Sequence, residues 1–410
     1  MGTRSLRILH VTPYSADAWA YGGIPRLANS LTRGLARRGH QVTVCTTDAS
    51  DESHRLPKRA TTGSRFRAWP SSRTADGVEI RVFPNISNHL AYHLQLFLPL
   101  GLNTYLSESA GRFDVAHLHA CRNVPGAIAA YHLHRAGVPY VLAPNGTAPR
   151  IERRQLAKRV FDVVMGQRVL HDATRVLAVS GAEQRQLHTL GVDPAVIRLV
   201  PNPVDLDEFT SPIARGRFRA RFGLPDAASA HLVMFLGKLT PRKRVDVLIR
   251  AFAQLDRPDA RLAIAGNDMG AGTGTHALVH ELGLQSRTIF TGLLRGQERL
   301  EALADADVLV YPSRDEIFGL VPLEAILSGT PVIVADDSGC GEIVSRTGGG
   351  QVVPEGDVNA LARAIAAILD APLPWRAATL PAAGFIRAAF GDDVVCAQLE
   401  QLYIDMVAAS

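Results

Sequence analysis

Short apolar stretches alternate along this chain with segments whose apolar residues recur at helical spacing, and this alternation limits the fold more than any other feature. The apolar run that begins at Leu6 is followed by a helix with Leu27 and Leu31 on one face, and another apolar run begins at Gln41. The second half restarts in the same way with the apolar stretch 231–237. Strands that alternate with helices form parallel sheets with helices on both faces. The sequence therefore predicts an α/β protein with doubly wound parallel sheets.

The chain length indicates more than one domain. A chain of 410 residues exceeds what one hydrophobic core ordinarily supports. The proline-rich segment 201–212 marks the boundary, so residues 1–205 are expected to form an N-terminal domain and residues 206–384 a second one. The tail 385–406 is predicted to be a last helix.

Cysteine usage and the start of the chain bear on the compartment. None of the four cysteines (Cys45, Cys121, Cys340 and Cys396) is paired at metal or redox spacing. The first residues lead straight into a strand rather than into a signal peptide's apolar core, and no apolar run is long enough to span a bilayer. We therefore expect a cytoplasmic protein with reduced cysteines.

The net charge of +5 is modest, but basic residues cluster at 150–159 and 215–221. Such clusters would attract an anionic substrate or anionic lipid headgroups, so peripheral contact with the inner face of a membrane is left open. Solvated helix faces are the alternative. Nucleic acid is not an expected partner, because no aromatic residues interleave the basic stretches.

The stretch 311–334 carries the strongest chemical signal. The strand Val308–Tyr311 is predicted to lead through a polar loop to a helix that begins near Phe318, with Glu316 before the helix and Glu324 on it. The N–H groups expected to be unpaired in the first helical turn are those of Phe318, Gly319 and Leu320. A helix N-terminus at the carboxyl end of a parallel strand binds phosphate readily. Two carboxylates beside it suit a ligand with phosphates and hydroxyls, such as a nucleotide sugar.

This stretch resembles a known family. The Glu-x7-Glu motif from Glu316 to Glu324 encloses Phe-Gly, and Gly-Thr-Pro-Val-Ile follows at 329–333. The pattern resembles the retaining nucleotide-sugar glycosyltransferases of the GT-B fold, and more closely glycosyltransferase family four (group 1). The stretch Ser-Gly-Cys-Gly-Glu-Ile at 338–343 is also similar, although Cys340 stands where a glycine is usual. An ordinary strand, loop and helix with two solvated glutamates is the alternative for the motif.

The resemblance implies the architecture and the binding partners. It implies two Rossmann-like domains that face a central cleft, with the donor, a nucleoside diphosphate (NDP)-sugar, held by residues 206–384 and the acceptor by residues 1–205. The C-terminal helix, 385–410, would pack back on the N-terminal domain. The long polar segment 48–76 is a candidate acceptor or lipid-contact loop.

Cations cluster at a predicted helix start in the second half, at Lys238, Arg242, Lys243 and Arg244. Each cation at a helix N-terminus is unfavourable by about 0.3–1 kcal/mol, so the cluster indicates a bound anion, with an exposed basic turn as the alternative. The resemblance implies that Lys238 and Lys243 hold the donor's phosphates. Lys238 replaces the family's usual arginine, and Arg244 its usual glycine. The resemblance also places further residues near the donor: Gly237, Gly292, Leu293 and Leu294.

The first half offers two candidate features at strand ends. Gly22 and Gly23 lie in the first strand-to-helix turn, where a ligand can approach the bare backbone, unless the turn merely needs a positive φ. The family has a comparable two-glycine loop here, so the resemblance implies that both glycines bind the donor. His117 and His119 share one face of a strand. A metal would need further ligands, and the sequence shows none nearby. The resemblance implies that His119 contacts the transferred sugar and that His117 packs behind it, while a buried pair under a helix is the alternative.

These expectations combine into one reaction. The resemblance implies a metal-independent, retaining hexosyl transfer (mannose or glucose type) from an NDP-sugar to a saccharide or lipid-linked saccharide, in cell-surface polysaccharide or glycolipid biosynthesis. His119, Lys238, Lys243 and Glu316 would be catalytic, Glu324 would bind the ribose, and no cofactor is expected. Attack would occur from the front face, with double displacement through a carboxylate kept as another route. The alternatives are a nucleotide-sugar epimerase of the same architecture and a non-catalytic sugar-nucleotide-binding subunit.

Overall fold

The computed structural model describes residues 5–51, 54–56, 71–149, 161, 167–211 and 213–409. Its strands are β1 (Arg7–Val11), β2 (Gln41–Thr47), β3 (Ser71–Arg73), β4 (Glu79–Phe83), β5 (Val115–His119), β6 (Tyr140–Ala143), β7 (Arg175–Ala178), β8 (Ile197–Leu199), β9 (His231–Leu236), β10 (Ala260–Ala265), β11 (Thr288–Gly292), β12 (Val308–Tyr311), β13 (Val332–Ala335) and β14 (Gly350–Val353).

The described α-helices are α1 (Gly23–Arg37), α2 (Asn88–Leu94), α3 (Leu102–Ser109), α4 (Val124–Ala136), α5 (Gln167–His171), α6 (Gly181–Thr189), α7 (Arg217–Arg221), α8 (Val245–Ala253), α9 (Gly272–Glu281), α10 (Gly296–Asp305), α11 (Leu320–Leu327), α12 (Gly339–Thr347), α13 (Val358–Asp370), α14 (Pro372–Phe390) and α15 (Asp392–Ala408). Among these helices, none is both long enough and apolar enough to cross a bilayer.

The chain forms two compact units. One comprises Met1–Pro203 and Asp392–Ser410, and the other comprises Val204–Gly391. The sequence placed the divisions after 205 and after 384. The second division differs because the tail is not the single helix predicted at 385–406: α14 ends at Phe390, and α15 begins at Asp392. Gly391, with φ −59° and ψ 142°, leaves the helical region between them.

Both sheets reverse their strand order at one point. The first unit holds an eight-stranded sheet among its described residues, in the order β3-β4-β2-β1-β5-β6-β7-β8. Its pairings are parallel except for β3, which runs antiparallel to β4. The second unit holds a parallel sheet in the order β11-β10-β9-β12-β13-β14. The order reverses between β1 and β5 and between β9 and β12, and ligands of such sheets bind at the carboxyl ends of the strands there. This confirms the α/β class with two doubly wound sheets.

Helix α15 is built into the core of the first unit. Its Val395, Leu399 and Tyr403 share a buried cluster with Leu27 and Leu31 of α1. Where α15 crosses α1, a Cβ on Gly34 would overlap the Cys396 sulfur, so this close approach requires a glycine. Glu400 accepts from Arg38 and lies 3.1 Å from His40 Nε2, which ties the helix to the end of α1. The last helix therefore belongs to the first unit by packing and by charge.

Three other sequence predictions meet the structure in different ways. The predicted loop 48–76 ends in β3, and residues 52–53 and 57–70 of it lie outside the described residues. The sequence also favours a helix over 152–171, and of that stretch only residue 161 and α5 are described. The basic cluster at 150–159 also lies outside them.

The second basic cluster, 215–221, is engaged inside its own unit. Arg219 is 3% exposed and lies 3.0 Å from Asp307, while Arg217 and Arg221 contact glutamates of α10. These three arginines have carboxylate partners within the protein. The structure therefore favours the interpretation of this cluster as an ordinary helix face, and not as a surface that binds anions.

Candidate functional site

The candidate donor site lies at the switch point of the second sheet. Strand β9 ends at Leu236 and is followed by Gly237 and Lys238, while the neighbouring β12 ends at Tyr311 and leads into the loop that carries Glu316. The strand order of the sheet thus brings together two motifs that are about 70 residues apart in sequence.

Three loops are joined around Glu316. The Arg314 N–H donates to the Arg242 carbonyl at 2.8 Å, which connects this loop to the one after β9. The Glu316 carbonyl accepts from the Cys340 N–H at 2.7 Å and from the Ser338 hydroxyl at 2.8 Å, which connects it to the loop after β13. Backbone bonds from two neighbouring loops therefore fix the position of Glu316.

Lys243 and Glu316 form a buried ion pair. The Lys243 ammonium donates to Glu316 Oε2 and to the Tyr311 hydroxyl, and the Tyr311 hydroxyl lies 3.2 Å from the same carboxylate oxygen. The ammonium also lies 4.4 Å from the centre of the Tyr311 ring, within cation–π range. Lys243 is 6% exposed. A cation, a carboxylate and a phenol thus converge at one point.

The electrostatics of this pair keep Glu316 ionised. Burial by itself would raise the pKa of Glu316, but Lys243 and Arg242, with hydrogen bonds from Lys243 and Tyr311, lower it to about 2. Burial lowers the pKa of Lys243, against the opposing effect of Glu316. Burial and the adjacent Glu316 raise the pKa of Tyr311, which keeps the phenol protonated. At neutral pH Glu316 can therefore accept hydrogen bonds but cannot donate one.

Helix α11 begins at Leu320, two residues later than predicted. Its N-cap is Gly319, with φ 80°, and a Cβ there would overlap the Cys340 sulfur. The positive φ delays the helix, so the backbone donors of its start belong to Gly319, Leu320 and Val321 rather than to Phe318. Phe318 is instead 2% exposed and packs edge-on against Phe390, with ring centres 5.5 Å apart.

Glu324 lies on α11 but is not solvated. It is 1% exposed and accepts from Arg299 Nη1, and Arg299 Nη2 donates to Glu208 at 2.6 Å. The alternative of two solvated glutamates is therefore wrong for this motif, because both Glu316 and Glu324 are held in ion pairs with buried cations.

The cations at the start of α8 have unequal surroundings. Arg244 is the N-cap of α8 with φ 50°, a conformation that favours glycine, and its guanidinium contacts Glu355 at 2.5 Å. Lys238 is half-buried in the turn after β9, where its carbonyl accepts from the Thr240 N–H at 3.0 Å. Because Lys243 and Arg244 both have carboxylate partners, the argument that this cluster requires an anion is weaker than the sequence indicated.

Glycines shape the carboxyl edge of this sheet. The Gly237 N–H donates to the Ala265 carbonyl at 2.9 Å, and the Gly266 N–H donates to the Gly292 carbonyl at 2.8 Å. Gly266 has φ 149°, and a Cβ there would overlap the Gly237 carbonyl. Gly292 has φ 71° and is exposed, Leu293 is half-buried, and Leu294 is 6% exposed. The predicted donor residues Gly237, Gly292, Leu293 and Leu294 thus flank one sheet edge.

In the first unit, Gly22 and Gly23 begin α1. Gly22 is its N-cap, with φ 92° and ψ −141°, a conformation available essentially only to glycine. Gly23 is the first residue of the helix and is exposed. The turn therefore needs a glycine for its backbone and also presents an accessible helix N-terminus, so the two interpretations of this pair are compatible.

Three histidines stack on one face of the first sheet. His117 and His119 have ring centres 4.4 Å apart, and His10 of β1 lies beside both. His10 Nδ1 lies 3.0 Å from His119 Nε2, and His117 Nδ1 lies 2.6 Å from the Tyr403 hydroxyl. All three rings are fully buried, and burial lowers the pKa of each, to about 3 for His119. The cluster is therefore neutral at physiological pH.

His10 supplies the third nitrogen that the sequence did not reveal. Among the described residues, His10, His117 and His119 form the group whose spacing could hold a metal ion, with ligand atoms within 4.8 Å of one another. Imidazole lone pairs lie in the ring plane, and the three planes are only 11–27° apart, so they do not converge on one point. The histidine-to-histidine and histidine-to-tyrosine hydrogen bonds describe this arrangement better than a metal site.

Sequence reasoning missed several residues that shape these sites. Tyr311 was predicted only as the last residue of a strand, and no role was predicted for Arg299 or Gly266. A glycine directly after a strand, as at Ala265-Gly266, was the available signal for a close backbone approach. Arg299 offered no local signal, because its partners are 25 and 91 residues away.

Both halves of this chain match known glycosyl transferase families. The glycosyl transferase 4-like domain matches residues 22–203, and glycosyl transferases group 1 matches residues 217–379. The D-inositol 3-phosphate glycosyltransferase of Mycolicibacterium paratuberculosis is 32% identical over 397 residues, which cover 93% of this chain and 84% of that protein.

Solved structures agree in fold. Sucrose-phosphate synthase from Thermosynechococcus elongatus superposes with a TM-score of 0.73 at 23% identity, and the match covers 98% of this chain and 99% of the synthase chain. Anabaena Alr3699/HepE in complex with UDP-glucose superposes with a TM-score of 0.73 at 20% identity, and the match covers 99% of this chain and 100% of the HepE chain. At these identities the likeness concerns the fold alone, which is GT-B. With two family matches and a relative 32% identical along most of its length, the chain belongs to the glycosyl transferases group 1 and has the GT-B fold.

Proposed function

We propose that this glycosyltransferase moves a hexosyl unit, of the mannose or glucose type, from a nucleoside diphosphate sugar to a hydroxyl of a saccharide or lipid-linked saccharide, with retention of configuration and without a metal ion. The observation that carries the proposal is the buried Lys243–Glu316 pair at the switch point of the second sheet. The complex of the Anabaena relative with UDP-glucose supports this class of donor.

The donor's two polar parts correspond to the two charges of the pair. Glu316 is ionised at neutral pH, since its pKa is about 2, and a carboxylate accepts hydrogen bonds from sugar hydroxyls. Lys238, Lys243 and the N–H groups at the start of α11 supply positive potential for the diphosphate. Lysines act as point charges and lack the bidentate fork of arginine, so they would attract the diphosphate without fixing the orientation of its oxygens.

The reaction balances without a protein nucleophile. The bond between sugar C1 and the diphosphate oxygen breaks, and its electron pair leaves with the diphosphate. The acceptor oxygen forms a new bond to C1 on the same face, and its proton passes to an oxygen of the departing phosphate. Glu316 is a poor nucleophile because its charge is engaged by Lys243, which disfavours the double-displacement route.

In the first unit the proposal gives His119 a contact with a hydroxyl of the transferred sugar. Its Nδ1 is buried and has no hydrogen-bond partner among the described residues, and such an atom is costly to leave unsatisfied. Because burial lowers the pKa of His119 to about 3, the imidazole would act as a neutral partner.

A lipid-linked acceptor is supported by exposed apolar side chains in the first unit. Ile86 is 56% exposed, Leu94 45% and Leu100 54%. The matched relative acts on an inositol phosphate, so D-inositol 3-phosphate is the second acceptor class to test. Peripheral membrane contact would rest on these apolar residues and on the basic cluster 150–159. Co-sedimentation with anionic and with neutral vesicles tests it: full recovery of the protein in the supernatant with both kinds of vesicle would refute it.

The first test is a donor screen. Thermal unfolding is measured with UDP-, GDP- and ADP-hexoses, and a donor at a hundredfold excess over Kd should add about 2.7 kcal/mol of stability. Release of the nucleoside diphosphate with each acceptor class then tests transfer. Conversion of the donor to an epimer without any acceptor would favour the epimerase, and donor binding without turnover would favour a non-catalytic subunit.

Retention and metal independence are tested on the product. The one-bond coupling constant between the anomeric carbon and its proton gives the configuration of the new bond, and an inverted product would refute the retaining mechanism. Turnover should be the same after dialysis against EDTA. Loss of turnover that added Mg²⁺ or Mn²⁺ restores would refute metal independence.

A further inference from the structure

A buried arginine joins two carboxylates that are far apart in sequence. Arg299, on α10, is 3% exposed. Its Nη1 donates to Glu324 Oε2 on α11, and its Nη2 donates to Glu208 Oε2 at 2.6 Å. Glu208 lies in the 3₁₀ turn Leu206–Phe209, the first turn of the second unit. One guanidinium thus bridges three separate elements.

The bridge determines what Glu324 can do. A buried carboxylate needs a compensating cation, and Arg299 supplies it from one side. A carboxylate has about four lone-pair positions, and the bond from Nη1 uses one of them. The planar guanidinium fork fixes the direction of that bond, so the orientation of the Glu324 carboxylate is set by Arg299 rather than by its own side-chain torsions alone.

Glu208 determines what Arg299 can do. An arginine near a bound diphosphate would ordinarily turn toward the phosphates, which it binds through two parallel hydrogen bonds. Here the second arm of the fork is held by Glu208, whose side chain is 25% exposed. Arg299 is therefore kept on Glu324 when an anionic ligand arrives.

We propose that Arg299 is a positioning residue for ribose recognition: anchored by Glu208, it orients the Glu324 carboxylate toward the ribose hydroxyls of the nucleotide donor. This rests on the proposed function, in which Glu324 binds the ribose. It adds that recognition of the ribose depends on two residues that do not touch it, one on α10 and one in the turn Leu206–Phe209.

The test measures ribose recognition separately from nucleotide binding. Calorimetric affinities for UDP, GDP and ADP are each compared with those for the 2′-deoxy counterpart, which lacks one hydroxyl. For the nucleotide that binds, the wild type should prefer the ribose form, and R299K and R299Q should lower this preference about tenfold or more, as expected for a hydrogen bond to a charged group. E324Q should lower it equally, and E208Q by a smaller factor.

Two variants keep the test decisive. R299K retains the buried positive charge but cannot bridge both carboxylates, so it removes the geometry with less damage to the fold than R299Q. R221Q is the matched control. Arg221 of α7 contacts Glu298, the neighbour of Arg299 on α10, at 2.7 Å on the surface. Its preference for the ribose form should equal that of the wild type.

Two contrary results have different meanings. If R299K and R299Q weaken the ribose and 2′-deoxyribose forms equally, Arg299 binds phosphate or only supports the fold, and the inference is wrong while nucleotide binding stands. If the wild type binds none of the three nucleotides, the proposed function fails and the inference fails with it.

Discussion

Lys243 and Glu316 form a buried ion pair inside the second unit, and the ammonium lies 4.4 Å from the centre of the Tyr311 ring. Desolvating two charges is costly, and a buried pair of this kind often contributes little net stability. The pair lies at the carboxyl edge of the sheet, between three loops, where the proposed function places the sugar and the diphosphate of the donor.

Replacing Glu316 by glutamine should reduce turnover by about 100- to 1,000-fold, the usual cost of removing one preorganised polar group from a reacting centre. The amide keeps the shape but loses the charge that accepts hydrogen bonds from sugar hydroxyls. Initial rates of nucleoside diphosphate release measure the effect. Glu298→Gln on α10, an exposed partner of Arg221, is the control and should retain full activity. Equal activity of the two variants would remove Glu316 from the mechanism.

Stability should depend on pH through Glu183. Its carboxylate accepts from the Gly146 and Val179 N–H groups, yet burial raises its pKa from 4.5 to about 7. The pKa of Glu183 is higher in the folded state than in the unfolded state, so the protonated side chain favours folding. Its contribution to the free energy of unfolding is complete below pH 4.5 and is lost as the pH rises through about 7.

The Glu183→Gln variant does not titrate, so it isolates this effect. The free energy of unfolding of the wild type should fall relative to the variant by on the order of 2–3 kcal/mol as pH rises from 4.5 to above 7. Urea unfolding at a series of pH values measures the difference. Glu281→Gln, at an exposed position on α9, is the control for the substitution itself. A difference that does not change with pH for Glu183→Gln would contradict the raised pKa.

Gly266→Ala should destabilise the second unit strongly. A strained φ costs about 1–3 kcal/mol and overpacking about 1–3 kcal/mol, and both apply at Gly266, where a Cβ meets the Gly237 carbonyl. Gly274→Ala is a matched control in α9, where the new methyl group meets no atom within 4 Å, and it should add about 0.5–1 kcal/mol. Thermal unfolding compares the two, and similar melting temperatures would be inconsistent with the close approach of Gly266 to Gly237.

Tyr403→Phe tests how α15 is held in the first unit. It removes the hydroxyl 2.6 Å from His117 Nδ1 and leaves a buried nitrogen unsatisfied, at a cost of about 1–3 kcal/mol. Tyr131→Phe is the control, because Tyr131 is 51% exposed and its hydroxyl accepts from Arg135 near the surface. Urea unfolding should separate the variants by more than about 1 kcal/mol. If the two variants unfold together, the bond between Tyr403 and His117 contributes nothing.

Local patterns predicted the order of strands and helices well. The strand Val308–Tyr311 was confirmed at its predicted bounds, and Leu27 and Leu31 are buried on α1 as their spacing indicated. Local patterns placed the start of α11 two residues too early, and they predicted one continuous helix where the chain breaks at Gly391. Both depend on backbone conformations that neighbouring elements stabilise: Cys340 packs where Gly319 lacks a side chain, and Leu206 packs near Gly391.

The sequence by itself determined that this protein has two α/β halves. It placed Glu316 and Lys243 among the polar groups at strand and helix ends, and Glu324 on the helix that follows Glu316. Those features follow from residue spacing within a few turns or strand lengths. Only the tertiary structure decided which charge meets which: Lys243 with Glu316, Arg299 between Glu324 and Glu208, and His10 beside His119. Each of these pairs joins elements far apart in the chain, and the strand order of the sheet, which periodicity does not encode, brings them within hydrogen-bonding distance.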